Sequence, residues 1–161
     1  MIVVADTSPI TNLLLIGKLE LLSQVFGRVV IPGEVEREIL ALANFGFDLQ
    51  PFKDASWIES VEVEGGSIVS SLTMTLDKGE AEAISLAKEL EADWLLIDER
   101  KGTVVAKSIG LQTIGVLGVL LSAKRSGYVQ TVMLIVHDLI EKAGFWLSKD
   151  VLDRIAKEAN E

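Results

Sequence analysis

The sequence predicts an α/β protein in which helices cover both faces of a mostly parallel sheet. Short runs rich in β-branched apolar residues, typical of buried parallel strands, alternate along the chain with segments of helical periodicity. That alternation indicates a parallel sheet, because each parallel connection needs a crossover and a helix usually provides it. The chain has 161 residues and 49% hydrophobic content, enough for one full core and too little for two typical domains. We therefore expect a single domain over residues 1–161.

The first half of the chain contains three predicted strands. The run 2–5 is buried and ends in a turn at 6–9; leucines and isoleucines from 10 to 22 then predict one or two helices broken near Gly17. The run 29–31 is the second strand, closed by Pro32, and a helix follows over 33–43. Glycine, proline and scattered aromatic residues predict a loop over 45–54, and 57–61 is a short or edge strand.

The second half repeats the alternation. A clear helix over 79–90 precedes a buried strand over 93–97, and a helix over 101–109 leads to a short strand over 112–114. Three further helices are expected, over 116–125, 129–142 and 149–159.

Composition excludes several classes of protein. The chain has no cysteine, so any metal must be held largely by oxygen ligands and disulfides are excluded. The apolar stretches are far shorter than the roughly 18 to 20 residues that span a membrane, and Asp6 interrupts the first of them, unlike a secretory signal. We expect a cytoplasmic protein without a membrane span. A net charge of -9 argues against coating of nucleic acid by bulk electrostatics, but it is compatible with carboxylates gathered around a cation.

Two aspartates follow predicted strands directly. Asp6 ends the first strand and Asp98 ends the strand over 93–97. In open parallel sheets, sites gather beyond the carboxyl ends of the strands, so both side chains are expected at the same edge. Each alone is also explained as a turn former or a helix N-cap.

Two glutamates on predicted helices point toward the same region. Glu38 falls beside the apolar stripe of the helix 33–43, and Glu80 lines up with the apolar residues of the helix 79–90, whereas Glu82 lies on the polar stripe and is expected to be solvated. A carboxylate on an apolar stripe is difficult to ionise unless something pairs with it. Glu80 is alternatively a helix-start carboxylate with a buried stem.

Together these four acids, Asp6, Glu38, Glu80 and Asp98, predict a site for Mg²⁺ or Mn²⁺. Carboxylates gathered without basic partners repel one another, and hard divalent cations between them relieve the repulsion. Such ions lower the pKa of a bound water and stabilise charge on a phosphodiester, which is the chemistry of a nuclease. The hydroxyls of Thr7 and Ser8 are placed to orient a metal-bound water or to cap the next helix. Arg100, Lys101 and Lys107 are the candidates for contact with substrate phosphates, unless they are simply a solvated helix start.

Four segments, taken in order, resemble the acidic motifs of the PIN-domain family. They are Val-Val-Ala-Asp6-Thr7-Ser8, residues 31–39, residues 79–87 and residues 95–100. The resemblance spans residues 2 to about 126 and leaves a C-terminal helical extension over 129–161. Residues 115–120 and 144–148 resemble a little-characterised prokaryotic branch of the family, related to VapC-type toxins.

The resemblance implies a three-layer α/β/α sandwich and a Mg²⁺- or Mn²⁺-dependent endoribonuclease that acts on RNA. It also implies a metal site on Asp6, Glu80 and Asp98, a homodimer, and relatives that a small antitoxin protein neutralises. Two departures from the family pattern matter. Glu99 competes with Asp98 for the role of fourth acid, depending on the register at the strand end, and Glu80 replaces a more frequent aspartate and reaches further.

Two other classes of function compete with the nuclease. A PIN-fold module that binds RNA or a protein partner without cutting is favoured by the strong acidity. An aspartyl phosphatase or phospho-receiver also places an aspartate after the first strand, but Ser8 stands where the phosphatase needs a second aspartate, and Asp6 lacks the acidic neighbour of a receiver.

Overall fold

The computed structural model describes residues 1–64 and 66–161 and is built on a five-stranded sheet. The strands stand in the order β3-β2-β1-β4-β5, and every neighbouring pair is parallel. The strands are β1 (Val3–Ala5), β2 (Val29–Pro32), β3 (Ile58–Val61), β4 (Trp94–Leu96) and β5 (Thr113–Ile114). All five predicted strands are present, and the α/β fold class is confirmed.

Ten α-helices and one 3₁₀ turn surround the sheet in the described residues, and the last three helices follow β5. The helices are α1 (Thr7–Leu15), α2 (Leu21–Phe26), α3 (Gly33–Ala41), α4 (Gln50–Lys53), α5 (Ser67–Leu72), α6 (Lys78–Glu89), α7 (Arg100–Ser108), α8 (Val116–Arg125), α9 (Val132–Ala143) and α10 (Lys149–Glu158); the 3₁₀ turn is Leu42–Phe45. Two short helices, α4 and α5, were not predicted. Each has at most six residues, too few for a helical period to show in the sequence.

The sheet separates two apolar cores, which gives the three-layer α/β/α arrangement. Side chains of successive strand residues point to opposite faces. Val3 and Ala5 accordingly belong to the core that contains residues of α1, α2, α3, α8, α9 and α10, whereas Val4 belongs to the core that contains residues of α6 and α7. Both faces of β1 are covered, so all three of its residues are buried.

The predicted edge strand is indeed at an edge. β3 pairs with β2 alone, and its middle residues Glu59 and Ser60 are exposed. Charged and polar residues on an edge strand discourage pairing with another chain.

Helix α1 begins earlier than the sequence suggested. The predicted turn at 6–9 is already the first helical turn, and α1 starts at Thr7 with Asp6 in the N-cap position. Pro9 is tolerated there, because the first turn of a helix has no intrahelical acceptor for its missing N–H group. As a result, Asp6 stands between the last strand residue and the first helical residue.

The side chain of Glu161 fastens the last residues to the rest of the fold. Its Oε2 accepts hydrogen bonds from Val132 N at 2.7 Å and Lys124 Nζ at 2.8 Å, and its Oε1 accepts one from Met133 N at 3.0 Å. The two backbone donors belong to the first turn of α9, where a negative charge is favourable. The bond from Lys124 is the main cause that lowers the pKa of Glu161.

Replacing Glu161 by glutamine is expected to lower the free energy of unfolding by about 1 to 2 kcal/mol, because charge-assisted bonds to a helix start become neutral ones. A thermal melt at pH 7 should show a decrease in Tm of roughly 3 to 6 °C. Glu141→Gln, which changes an exposed residue of α9, is the matched control and should leave Tm within about one degree. Equal melting of the two variants would disprove the role of this contact.

No helix in residues 1–64 and 66–161 is both long enough and apolar enough to cross a membrane.

Candidate active site

Three adjacent central strands place acidic residues at the edge of the sheet that is formed by the carboxyl ends of its strands. Asp6 follows β1, α3 with Glu38 follows β2, and Asp98 and Glu99 follow β4. Helix α6, which carries Glu80, packs against α3, β1 and β2. The four acids predicted from the sequence therefore come from the same edge, but their side chains take different surroundings.

Asp6 is the most buried member of the cluster. Only 3% of the residue is exposed, and its N–H donates to Leu96 O at 2.9 Å, which extends the pairing of β1 with β4. Burial raises the pKa of Asp6 to about 7, and the charges of Asp77, Glu38 and Glu99 act in the same direction. A large share of the Asp6 carboxyl is therefore protonated at neutral pH in the metal-free protein.

Glu38 is held by a hydroxyl from the neighbouring strand end. Thr7 Oγ1 donates a hydrogen bond to Glu38 Oε2. The prediction that Thr7 caps α1 is therefore wrong, because its hydroxyl is directed across to α3. Burial raises the pKa of Glu38, the bond from Thr7 opposes the shift, and the charge of Asp77 adds to it.

The start of α6 approaches the carboxylate of Glu38 closely at Gly79. A methyl group at Gly79 would lie 2.6 Å from Glu38 Oε1. Glycine therefore allows the carboxylate to rest against the backbone of α6, and the two helices meet at the cluster.

The side chain of Glu80, which belongs to α6, is enclosed against α7. The residue is 8% exposed, and its Oε2 is buried without a hydrogen-bond partner among the described residues. A methyl group at Gly102 of α7 would lie 2.6 Å from that oxygen. Burial raises the pKa of Glu80 to about 8, and the carboxylate of Asp77 adds to the shift both as an acceptor and as a negative charge.

Asp77 belongs to the site although it was not among the residues predicted from the sequence. Its Oδ1 accepts the N–H of Glu80 at 2.8 Å, so it caps α6, and its charge raises the pKa of Asp6, Glu38 and Glu80. The spacing Asp77-x-x-Glu80 before an apolar helix is a recognised N-terminal signature and would have identified it.

The prediction that Glu82 is solvated is wrong. Glu82 is 5% exposed, and its Oε1 is buried without a partner in the part of the chain that the structure describes. Helix α6 packs against the sheet and against α3, α5 and α7, so Glu82 is covered although Lys78 and Glu89 of the same helix are exposed. The charge of Glu82 contributes to the raised pKa of Glu38, which adds a further acid to the cluster.

Asp98 and Glu99 take different directions from the end of β4. Asp98 Oδ1 accepts the N–H of Val116 at 3.1 Å, and a methyl group at Gly115 would lie 2.5 Å from the same oxygen, so this carboxylate faces the start of α8. Burial raises its pKa to about 6, and its Oδ2 is buried without a partner in residues 1–64 and 66–161. Glu99 is exposed, and its charge raises the pKa of both Asp6 and Glu80.

A model of the family "DUF3368: PIN domain" matches residues 2–161. The chain belongs to the PIN-domain family. The sequence-based assignment is thereby confirmed, and PIN domains are generally nucleases that commonly bind RNA and use divalent metals.

One solved structure supports the PIN fold. It is a PilT N-terminus domain protein from the hyperthermophilic archaeon Sulfolobus solfataricus P2, which is 22% identical in sequence. The match covers 76% of this chain and 93% of that chain with a TM-score of 0.58. No curated protein matches this chain.

The cationic residues predicted to meet phosphates lie on α7 of this PIN domain. Arg100 and Lys101 are exposed in its first turn, next to the acidic edge. Lys107 is exposed in the last turn, about 10 Å further along the helix axis. The structure thus brings two of the three to the cluster and leaves the third away from it.

The donor set suits a hard divalent cation, although the described residues form no ready-made cage. Within residues 1–64 and 66–161, no group of three acids or histidines is already placed to hold one metal ion. The described ion pairs include no partner for Asp6, Glu38, Glu80 or Glu82, and two of these acids carry an orphaned buried oxygen. Uncompensated carboxylate oxygens are the ligands that Mg²⁺ and Mn²⁺ prefer.

Proposed function

We propose that this PIN domain is a Mg²⁺- or Mn²⁺-dependent endoribonuclease. The observation that carries the proposal is the cluster of buried carboxylates, without basic partners in the described residues, at the carboxyl ends of β1, β2 and β4. Burial of several acids raises their pKa values and destabilises their charged forms, so a cation is the natural complement of the site.

In this proposal Asp6, Glu80 and Glu99 hold the metal. The charge of Glu99 raises the pKa of both Asp6 and Glu80, which supports this set. Glu99 replaces Asp98 of the sequence-based set because Asp98 Oδ1 accepts the N–H of Val116 at the start of α8. A divalent cation supplies a lowered pKa for water and neutralises charge on the phosphodiester.

The remaining residues prepare the reaction. Glu38, half-buried and oriented by Thr7, is suited to accept a proton from the attacking water, since its raised pKa makes it a better base than an ordinary carboxylate. Asp77 fixes the first turn of α6 and thereby the direction of Glu80. Arg100 and Lys101 attract the RNA backbone to the acidic edge.

The substitutions Asp98→Asn and Glu99→Gln test which of the two candidates is the fourth acid. Glu99→Gln is expected to reduce the cleavage rate roughly 10²- to 10³-fold, as loss of one charge-stabilising group does. Asp98→Asn is expected to keep it within about tenfold, because the amide oxygen still accepts the N–H of Val116. Single-turnover cleavage with saturating Mn²⁺ measures both. The reverse order would assign the metal to Asp98.

The proposed activity is tested with purified protein and a mixed pool of single-stranded RNA in Mn²⁺, Mg²⁺ or EDTA. We expect the RNA to be cut at internal positions with either metal, and we expect no cleavage in EDTA. If calorimetry detects Mn²⁺ binding while no RNA is cut, the non-cutting PIN module is the correct interpretation. Neutralisation by an antitoxin and dimerisation stay predictions from the family resemblance.

A further inference from the structure

Two cations from different helices converge on one carboxylate oxygen beside the acidic cluster. Arg37 Nε of α3 lies 3.1 Å from Glu34 Oε2, and Lys78 Nζ of α6 lies 3.5 Å from the same oxygen. The guanidinium of Arg37 also reaches a second acid, with its Nη1 3.0 Å from Glu62 Oε1. Arg37, Lys78, Glu34 and Glu62 together form an ion network.

The ion network lies at the same edge of the sheet as the proposed active site. Arg37 immediately precedes Glu38, and Lys78 opens the helix that carries Glu80. Glu62 directly follows the carboxyl end of β3, and its carboxylate is packed on Gly33 at the start of α3, where an added methyl group would collide with it. The network therefore flanks the cluster on the α3 and α6 side, opposite Arg100 and Lys101 on α7.

The network is open to exchange with another anion. The side chains of Arg37 and Lys78 are 52% and 61% exposed, and ion pairs at such positions contribute little to stability. A phosphodiester offers the same anionic oxygens as a carboxylate, and both arginine and lysine bind it well. A point where two cations from separate elements meet one oxygen is therefore also a suitable point for a phosphate.

We infer that Arg37 and Lys78 form a phosphate-binding subsite for RNA, which Glu34 and Glu62 occupy in the free protein. This inference rests on the proposed function, since it takes RNA as the ligand. An RNA strand that crosses the cluster meets cations on both flanks, and its phosphate displaces the two glutamates. The glutamates act as internal competitors that weaken binding to RNA without touching the reacting atoms.

The inference is tested by RNA binding and its salt dependence. Binding of a fluorescently labelled single-stranded RNA is followed by anisotropy in an Asp6→Asn background, so that the measurement does not depend on cleavage. Glu34→Gln with Glu62→Gln is expected to tighten Kd roughly three- to tenfold at low salt. The slope of log Kd against log salt should steepen by about 0.7 for each cation released to phosphate.

A matched control removes the same charge elsewhere. Arg28 and Glu59 form an exposed pair at 3.1 Å, and Arg28 precedes β2, at the amino-terminal end of the strands. Glu59→Gln with Glu141→Gln, which removes the same two negative charges from exposed positions outside the ion network, should change Kd less than about twofold. In a background with Arg37→Ala and Lys78→Ala, the gain from the two glutamine substitutions should disappear, and circular dichroism should show that each variant is folded.

Two outcomes would overturn the inference. One is a gain in affinity no larger than that of the control with Glu59→Gln and Glu141→Gln, and the other is a gain that persists without Arg37 and Lys78. Either result, combined with metal-dependent cleavage by the wild type, leaves the proposed function standing. If no variant binds RNA and the wild type does not cut it, both proposals fail together.

Discussion

Replacing Asp6 by asparagine is expected to abolish RNA cleavage and, at the same time, to raise the Tm of the metal-free protein at pH 8. Activity should fall at least 10²- to 10³-fold, because the central anionic ligand of the proposed site is lost. Stability should increase because burial raises the pKa of Asp6 to about 7, so that ionising this group at pH 8 opposes folding.

The gain in stability is limited by the amide that replaces the acid. A shift from 3.8 to about 7 corresponds to about 4 kcal/mol at most, and asparagine must still be buried, so we expect about 1 to 2 kcal/mol. That amounts to roughly 3 to 8 °C in Tm for a chain of this size. An inactive variant with a higher Tm than the wild type has lost catalytic activity while keeping its fold.

Thermal melts and single-turnover cleavage of the same preparations check both parts of the expectation. Asp138→Asn is the matched control, since Asp138 is paired with Lys142 on the surface of α9 and should affect neither quantity appreciably. Full cleavage activity in the Asp6→Asn protein would exclude the proposed metal site. Inactivity together with a lowered Tm would point to simple misfolding.

The second large effect is a decrease in the stability of the metal-free protein as pH rises from about 5 to 8. Asp6 and Glu80 have ordinary pKa values of 3.8 and 4.5 and folded-state values of about 7 and about 8. Between these limits the folded state keeps protons that the unfolded state has lost, so the free energy of unfolding falls with increasing pH. The stabilisation is complete below about pH 4 and is lost as pH passes through the folded-state values.

Divalent metal should reverse this trend. In the proposed site, protons compete with Mn²⁺ for the carboxylates, so the stabilising effect of the metal should be small at pH 5 and largest at pH 8. We expect the metal-free Tm to drop by roughly 10 °C or more over this range, since the two shifts together cover about five pKa units between pH 5 and 8 and each unit corresponds to about 1.4 kcal/mol. Differential scanning fluorimetry at four pH values, with Mn²⁺ or EDTA, measures both curves.

A double variant supplies the control for the pH series. Asp6→Asn with Glu80→Gln removes the two groups with the highest folded-state pKa values and should make the metal-free curve much shallower while leaving the protein folded. A smaller decrease near pH 6 should remain, since the pKa of Asp98 is raised to about 6. A wild-type Tm that rises from pH 5 to 8, or a Mn²⁺ shift of equal size at every pH, would refute the proposed linkage.

The sequence predicted those parts of the site that depend on local pattern. Asp6 and Asp98 were found because each follows a short buried strand, and Glu80 was found because it shares a stripe with apolar residues. The periods of strands and helices fix these positions whatever the tertiary packing.

The parts that failed depend on packing between elements. Glu82 was assigned to solvent because a helical wheel assumes one buried face, whereas α6 is covered by neighbours on several sides. The directions of the Asp98 and Glu99 side chains depend on how the backbone rotates as β4 ends, where Asp98 accepts the Val116 N–H of α8. Sequence pattern alone therefore leaves the choice of the fourth acid open. Strand order was likewise not available from pattern alone, since it is set by how the crossovers pack.

Three glycines in contact with the acids show that small substitutions at neighbouring positions could inactivate the site. Gly79, Gly102 and Gly115 each lie where one added methyl group would press on a carboxylate oxygen, of Glu38, Glu80 and Asp98 respectively. Because these oxygens are the tips of flexible side chains, alanine there would displace an acid without removing it. A PIN domain can therefore keep every acidic residue of its motifs and still lose the geometry of the site. The presence of the acids does not by itself distinguish an active nuclease from an inactive one.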